Sequence, residues 1–301
     1  MSFSADVKEE LSKLSNYTQK DSIYMELIGF CISANTIAIA NKIRFSTENQ
    51  YTINRFSKLL SNCGIVNHSI DLQGKTFYIF FPQAELLEEL EIQNKGKITI
   101  KEDALAKKVL AHEEQYSKDL ARGAFLGGGS INNPEKKYHL EMKFSEEKNK
   151  NEMKQFLEKQ GFHFKELATS PVLYLKEGEE ISNFLAWCGA NSGVLRFEEI
   201  RVMREVRNNV NRLVNCETAN LNKTINSAVQ QIEDIKWIKQ NHKFRELTEP
   251  LQEVAELRMK YPEKTLVELG AMLQKPIGKS GVNHRLKAIS KLAEELRKKE
   301  K

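Results

Sequence analysis

Apolar positions along the chain alternate between helical spacing and short strand-like runs. The opening stretch MSFSADVKEELSKL reads as a capped helix. Helix-like NRFSKLLSNCGI (54–65) precedes strand-like NHSIDLQGKTFYIFFP, and helix-like NEMKQFLEKQGF (151–162) precedes HFKELATSPVLYLKEG. A short helix is predicted after each, AELLEEL at 84–90 and EEISNFLAWCG at 179–189. From Thr218 to Lys239, Leu221, Ile225, Val229 (or Ala228), Ile232, Ile235 and Ile238 keep helical spacing, which predicts a connecting helix. Three more helices follow. TEPLQEVAELRMKYP carries Pro250 near its start and Leu251, Val254 and Leu257 on one face. TLVELGAML opens with the capping-box pair Thr265 and Glu268 and buries Leu266, Leu269 and Leu273, and Pro262 separates the two. KSGVNHRLKAISKLAEEL has Ser280 as its predicted N-cap and Val282, Leu286, Ile289 and Ala293 as its core stripe.

The pattern repeats. Placing Gly29 on Gly123, an offset of 94, superposes GFCISANTI on GAFLGGGSI without a gap, and Gly64 matches Gly161 at an offset of 97. Solenoids and propellers need three or more units, so two copies of about 95 residues point to a pseudo-twofold pair of α/β halves. The first helix of each half ends on small or polar residues: Ser33, Ala34 and Asn35, then Gly127, Gly128 and Gly129. These would let two helices approach closely at a central axis; a flexible C-cap turn at the glycines is the plainer alternative. GGGS lacks the spacing of the common nucleotide-cradling loops.

At 301 residues the chain exceeds one typical domain, and 40% hydrophobic with 29% charged residues is ordinary for a soluble globular protein. The N-terminal stretch has no apolar h-region, and Leu27–Ala40 is too short and too polar to span a bilayer. We therefore expect no membrane partner and a cytoplasmic protein. Cys31, Cys63, Cys188 and Cys216 are widely spaced, and the six histidines show no metal-ligand spacing, so neither a metal site nor a cofactor is expected. The net charge is +5; residues 234–301 hold 16 Lys and Arg against 10 Asp and Glu, so the basic surplus sits at the C-terminal end.

That surplus has a face. On the last helix, Asn283, His284, Lys287 and Lys291 point away from the core stripe and suit a recognition helix, with Ser280 near its N-terminus and Lys279 and Arg285 flanking for backbone contacts. The turn before it, Gln274–Lys279, is longer than a helix-turn-helix usually has. A three-helix protein-interaction module with a basic surface, or a solvated lysine tail at 297–301, are the plainer readings. Arg201, Arg204 and Arg207 recur at three-residue intervals and would either touch phosphate or pair with Glu198, Glu199 and Glu205.

RGAFLGGGSI (122–131) resembles the LAGLIDADG motif of homing endonucleases, commonly written RGFFDGDGS, and the two halves over roughly residues 20–200 resemble that family's DNA-binding fold. Those enzymes carry an acidic residue at the end of each motif helix; here the matching positions are Ala34 and Gly128, and their neighbours Ile32 and Leu126 are apolar. Without carboxylates a hard divalent cation loses its anchors, so no catalytic residue and no nuclease activity are expected. Asp119 and Glu141 are the nearest acids and are expected to be solvated. The whole chain, from SFSADVKEELSKL through CETANLNKT to KSGVNHRLKAI, resembles the WhiA family of bacterial DNA-binding regulators, tied to sporulation in filamentous bacteria and to cell division and chromosome segregation elsewhere. The resemblance implies an α+β fold. A degenerate LAGLIDADG-like repeat domain would occupy 1–220, with repeats at about 20–110 and 118–200 and a basic helix after them. A linker helix and all-α helix-turn-helix domain would occupy 221–301. It also implies a DNA-binding regulator of transcription or of the chromosome, with double-stranded DNA as partner and the repeat domain left to a protein partner or small ligand. A divergent endonuclease and an RNA- or protein-binding adaptor are the competing classes.

Overall fold

The computed structural model describes residues 2–15, 19–101 and 113–299. They divide into two compact units, 1–206 and 207–301. In chain order the first unit holds α1 (Phe3–Ser12), α2 (Lys20–Cys31), β1 (Thr36–Ile39), β2 (Lys42–Thr47), α3 (Gln50–Asn62), β3 (Ser69–Gln73), β4 (Thr76–Pro82), β5 (Leu90–Ile92) and β6 (Ile98–Ile100). The second half follows as α4 (Glu113–Gly128), β7 (Gly129–Ile131), β8 (Leu140–Lys143), α5 (Glu147–Lys159), β9 (Lys165–Glu166), β10 (Val172–Leu175) and α6 (Gly178–Cys188). The long helix α7 (Asn191–Gln240) has residues in both units, and α8 (Glu249–Lys260), α9 (Leu266–Ala271) and α10 (Lys279–Lys299) complete the second. The predicted boundary near 220 falls inside α7.

Local chemistry starts these helices. Ser2 Oγ accepts the Ala5 N–H at 3.2 Å to open α1, and Phe3, Val7 and Leu11 are buried one turn apart. Asn49 Oδ1 accepts the Thr52 N–H at 3.0 Å to open α3, whose Ile53, Phe56, Leu59 and Leu60 are buried.

The repeat is plain in the sheets. Each half builds a four-stranded antiparallel sheet in the same spatial order, β1-β2-β4-β3 and β7-β8-β10-β9. The motif helices α2 and α4 pack backbone on backbone between them. A β-carbon at Gly29 would collide with the Leu120 carbonyl and lie 2.6 Å from Ala124 N; one at Gly123 would collide with the Glu26 carbonyl. Glu26 and Leu120 are themselves 94 residues apart, so the two clashes are the same contact seen from either side of a pseudo-twofold axis. Further along, a β-carbon at Gly127 would lie 2.6 Å from Ser33 Oγ. Gly127 and Gly128 are helical and Gly129 pairs with Met142 in the sheet, so the three glycines are packing positions and not a flexible cap.

Two expectations need correction. AELLEEL does not form a helix: Gln83–Glu85 makes one 3₁₀ turn after Pro82, and Leu90–Ile92 pairs with Ile98–Ile100 as a hairpin. The hairpin is stitched to the second half, where Asn149 Oδ1 accepts the Ile100 N–H at 3.0 Å and its Nδ2 donates to Ile98 O at 2.8 Å. Asp119 is not solvated. It lies buried at 2.6 Å from Arg122 Nη1, and Arg122 also reaches Glu26, which holds Arg55 in a two-pronged pair with Nη2 at 2.7 Å. Two arginines and two acids thus neutralise one another in the core, and Arg55 further donates to Leu14 O at 2.8 Å. Burial raises the Asp119 carboxyl, against the pull of Ser22 and Arg122.

In the second unit Ile235, Ile238, Val254, Leu269, Leu273, Val282, Leu286, Ile289 and Ala293 form a separate core. Among the described residues no helix is long and apolar enough to cross a membrane.

Gly123→Ala should destabilise the repeat unit by about 2–4 kcal/mol, because backbone on both helices must separate; chemical denaturation measures it. Native-state titration with an aromatic disulfide should label exposed Cys216 fast and Cys63 slowly. Cys31 and Cys188 should react only on unfolding, since burial pushes Cys63 up to about 11 and Cys188 up to about 12.

Candidate nucleic-acid interface

The basic face lies on α10, and α8 and α9 hold that helix. Thr265 and Glu268 form the predicted capping box: the Glu268 N–H donates to Thr265 Oγ1 at 3.3 Å and Thr265 N–H donates to Glu268 Oε2 at 2.8 Å. The side-chain hydrogen bond from Lys264 and the Thr265 donors hold the Glu268 carboxyl down at about 2. Buried Arg258 reaches from α8 to the carbonyls of Lys264, at 2.8 Å, and Pro262, at 3.3 Å, which fixes the α8–α9 turn.

The connection Met272–Gly278 is long for a helix-turn-helix, yet it lies tight against α9. Ile277 N–H donates to Gly270 O at 3.1 Å, and a β-carbon at Gly270 would collide with the Ile277 carbonyl. The Gly278 carbonyl then accepts from Gly281 N at 3.0 Å and Val282 N at 3.2 Å, so α10 starts at Lys279. Ser280 is therefore inside the first turn and not its cap, because the backbone of Gly278 has already taken that position.

Across α10, Val282, Leu286, Ile289 and Ala293 are buried as expected, while Lys279, Ser280, His284, Lys287 and Lys291 are exposed and Asn283 is half-buried. Arg285 is also half-buried and turns toward α8, with Nη1 3.5 Å from Pro250 O, so it flanks the face without joining it. Glu294 and Glu295 follow Lys291, which confines the basic surface to the first turns of α10. The tail is less free than its composition suggests. Arg297 Nη1 lies 2.9 Å from Asp234 on α7 and its guanidinium sits over Trp237, while Lys298 pairs with Glu294 at 2.7 Å. Residues 300–301 lie outside the described residues.

The three arginines of α7 have different fates. Arg201 pairs with Glu198 at 2.8 Å and packs against Gly178; Arg204 donates to Pro134 O at 2.6 Å and stacks on Tyr138. Both are folded onto their own unit, which removes them from a phosphate-facing row. Arg207 is exposed.

The end of the motif helices is closed as well as free of acids. Ala34 N–H donates to Lys143 O at 2.9 Å, Asn35 Nδ2 donates to Gly127 O at 2.7 Å, and Lys8 Nζ donates to Leu126 O at 3.2 Å. Burial lowers the Lys8 ammonium to about 8. A side chain at Gly128 would run into the Lys143 carbonyl. Glu141 is tied to Lys143 at 3.0 Å and His139 at 3.3 Å. Among the described residues no group of three His, Cys, Asp or Glu is arranged to hold a metal ion.

Putting acids back at both positions, Ala34→Asp with Gly128→Asp, should destabilise the repeat unit by about 2–4 kcal/mol. It should create no magnesium-dependent thermal shift; a stabilising shift with magnesium would show that the old metal platform is still open.

Comparison with known proteins agrees with this arrangement at the level of the whole chain. Residues 117–207 match the WhiA LAGLIDADG-like domain and residues 210–293 match the WhiA C-terminal HTH domain. The chain is 40% identical over 317 aligned residues to the "Probable cell division protein WhiA" of Clostridium novyi (strain NT), and 38% identical over 315 to that of Clostridium tetani (strain Massachusetts / E88), covering 99% of each chain. It is also similar to the crystal structure of full-length DUF199/WhiA from Thermatoga maritima, at 26% identity and a TM-score of 0.56, over 98% of this chain and 99% of that one. A degenerate LAGLIDADG-like pair joined to a helix-turn-helix domain, matched along nearly its whole length, places this chain in the WhiA family.

Proposed function

We propose that this chain is a sequence-specific DNA-binding regulator that acts on transcription or on the chromosome during cell division and segregation, in the cytoplasm and on the nucleoid. The observation that carries the reading is the outer face of α10. Lys279, Ser280, His284, Lys287 and Lys291 stand exposed along a helix pinned from behind by Val282, Leu286 and Ile289. On this reading Asn283 reads adenine, Lys287 reads guanine or contacts phosphate, and His284 belongs to the same recognition face. Lys279, Ser280 and Lys291 hold the backbone, and the N-terminus of α10 favours a phosphate. The repeat unit takes no part in cleavage, since its motif-helix carbonyls are capped by Asn35 and Lys8 and Gly128 admits no side chain.

For the repeat unit we favour a protein partner over a small ligand. The cavity of about 340 Å³ between α1 and the start of α7 has its backbone donors already filled: Glu10 accepts Ser192 N at 2.7 Å and Gly193 N at 2.8 Å. The outer face of the first sheet instead stacks Tyr78 with Phe80 and sets Arg44 over Tyr78, a flat aromatic and basic surface of the kind that anchors protein interfaces.

The test is duplex binding by the full chain at several salt concentrations, together with crosslinked occupancy across the genome. Asn283→Ala should weaken the preferred site by about 1–3 kcal/mol and relax its sequence preference. Lys287→Ala should weaken all duplexes and flatten the salt slope by about one if it contacts phosphate. Discrete peaks lost in the double variant support the reading. Unchanged occupancy, or magnesium-dependent nicking of plasmid DNA, overturns it.

A further inference from the structure

One free edge of the first sheet is strand β3 (Ser69–Gln73), which is exposed at every position. Its hairpin to β4 turns through two residues, with Gly74 at φ 63° where such a turn needs a left-handed residue. Gln73 and Thr76 therefore form the hydrogen-bonded pair next to the turn, and the alternation of an antiparallel ladder makes Asp71 with Tyr78 the next one. Ile70 and Leu72 fall between these pairs, so their N–H and C=O groups point away from β4. Among the described residues no backbone hydrogen bond outside the ladder reaches them. The same two residues carry exposed apolar side chains, Ile70 at 45% and Leu72 at 56%. Natural sheets blunt such an edge with short strands or charge. The other half of the repeat does so here: its edge strand β9 is only Lys165–Glu166, and Glu166 is held by Lys150 at 2.8 Å and Lys154 at 2.9 Å from α5. At the repeat offset of 97, Ile53 and Ser57 of α3 stand in place of those lysines, and Ser69 in place of Glu166. The edge of β3 is thus left open where its counterpart is closed.

We propose that β3 is a docking edge for an extended segment of a protein partner, which adds to the sheet as a further strand. This rests on the reading that the repeat unit takes a protein partner, and it supplies the mode and the chemistry. The backbone of Ile70 and Leu72 offers two donors and two acceptors to an added strand. Apolar side chains of that strand opposite these two residues lie against Ile70 and Leu72 on one face of the sheet. The residue between them lies opposite Asp71 on the other face, where Asp71 pairs with Tyr78, and a basic side chain there meets the only charged residue of β3. Among the described residues Asp71 makes no salt bridge, and Gln73 Nε2 donates to it at 2.9 Å. The partner segment is therefore apolar, basic and apolar at successive positions. The edge is also set against its own copy, since antiparallel pairing of two β3 strands over their full length puts Asp71 on Asp71.

The probe is a fluorescently labelled peptide, Thr-Val-Thr-Val-Lys-Val-Thr-Val-Thr, titrated against the full chain by anisotropy. It should bind saturably below about 1 mM. Methylating the backbone nitrogens of the two valines beside the lysine removes donors from one edge of the peptide, and methylating those of the lysine and the next threonine removes them from the other. One set should abolish binding and the other change it by less than about threefold; loss with both sets, or with neither, overturns strand addition. Exchanging the peptide's lysine for aspartate should weaken binding about threefold, and Asp71→Lys should reverse that preference. A preference that ignores Asp71→Lys overturns the basic position of the partner. Saturating peptide should slow hydrogen exchange at the Ile70 and Leu72 amides of the unsubstituted chain, and unchanged exchange there overturns the edge as the site. Leu72→Pro removes one outward donor without touching the ladder and should weaken binding about tenfold. In cells, a photo-crosslinking phenylalanine at position 70 or at position 80, on the outer face, separates this proposal from the reading it rests on. Crosslinks to protein from 70 that disappear with Leu72→Pro support the edge. Crosslinks from 80 with none from 70 overturn the edge and leave the protein-partner reading standing, and none from either removes both.

Discussion

The first unit depends on one steric fact: helices α2 and α4 touch through backbone, and only glycine at 29 and 123 permits it. That approach brings the two sheets into one pseudo-symmetric unit, and it also brings Glu26 beside Arg122. Four charges from α2, α3 and α4 then meet in the buried core, in a network where each acid has an arginine and Arg55 has carbonyl acceptors in addition. Such a cluster adds little net stability compared with apolar packing, but removal of one member leaves an unpaired buried charge at a cost of about 3–5 kcal/mol. Its consequence is specificity of register: a one-turn slip of α4 along α2 would separate Arg122 from Glu26 as well as part the glycines.

What was legible in the sequence was local or periodic. The glycine match at an offset of 94, the capping box at Thr265 and Glu268, and the core stripe of α10 each rest on residues close together in the chain, and all are found in the structure. What was illegible depended on distant partners. AELLEEL is rich in strong helix formers, but Leu90 is taken by a strand whose ends are tied down by Asn149, far along the chain. Asp119 looked solvated because the residues that neutralise it come from separate helices. Arg201 and Arg204 looked like a phosphate-facing row because Pro134, Tyr138 and Gly178 gave no sign that they would receive them. Ser280 lies two residues past the actual cap, since the Gly278 carbonyl starts α10 first.

The homing-endonuclease likeness gains its meaning from this geometry. Loss of two carboxylates alone would leave an open groove at the helix ends, ready to regain metal by a pair of substitutions. The structure has gone further, since the carbonyls there are occupied by Asn35 and Lys8, and the Lys143 carbonyl fills the space a side chain at 128 would need. Strand β8, which supplies that carbonyl, also supplies Met142 to the core, so reopening the site would require the sheet itself to move.

A division of labour follows from where charge is left unspoken for. In the first unit the arginines of the core, with Arg196, Arg201 and Arg204 of α7, are matched by acids, carbonyls or rings of the same unit. In the second unit, Arg258 and Arg297 are similarly occupied in holding helices together, but Lys279 and Lys287 have the buried stripe of α10 behind them and solvent in front, while Lys291 lies 3.8 Å from Glu295. A rigid helix with an exposed basic face offers phosphate contacts without ordering a loop, and such contacts contribute most when the side chains that make them are not already paired. The net charge of the chain would not have distinguished these cases; the partners of the individual arginines do.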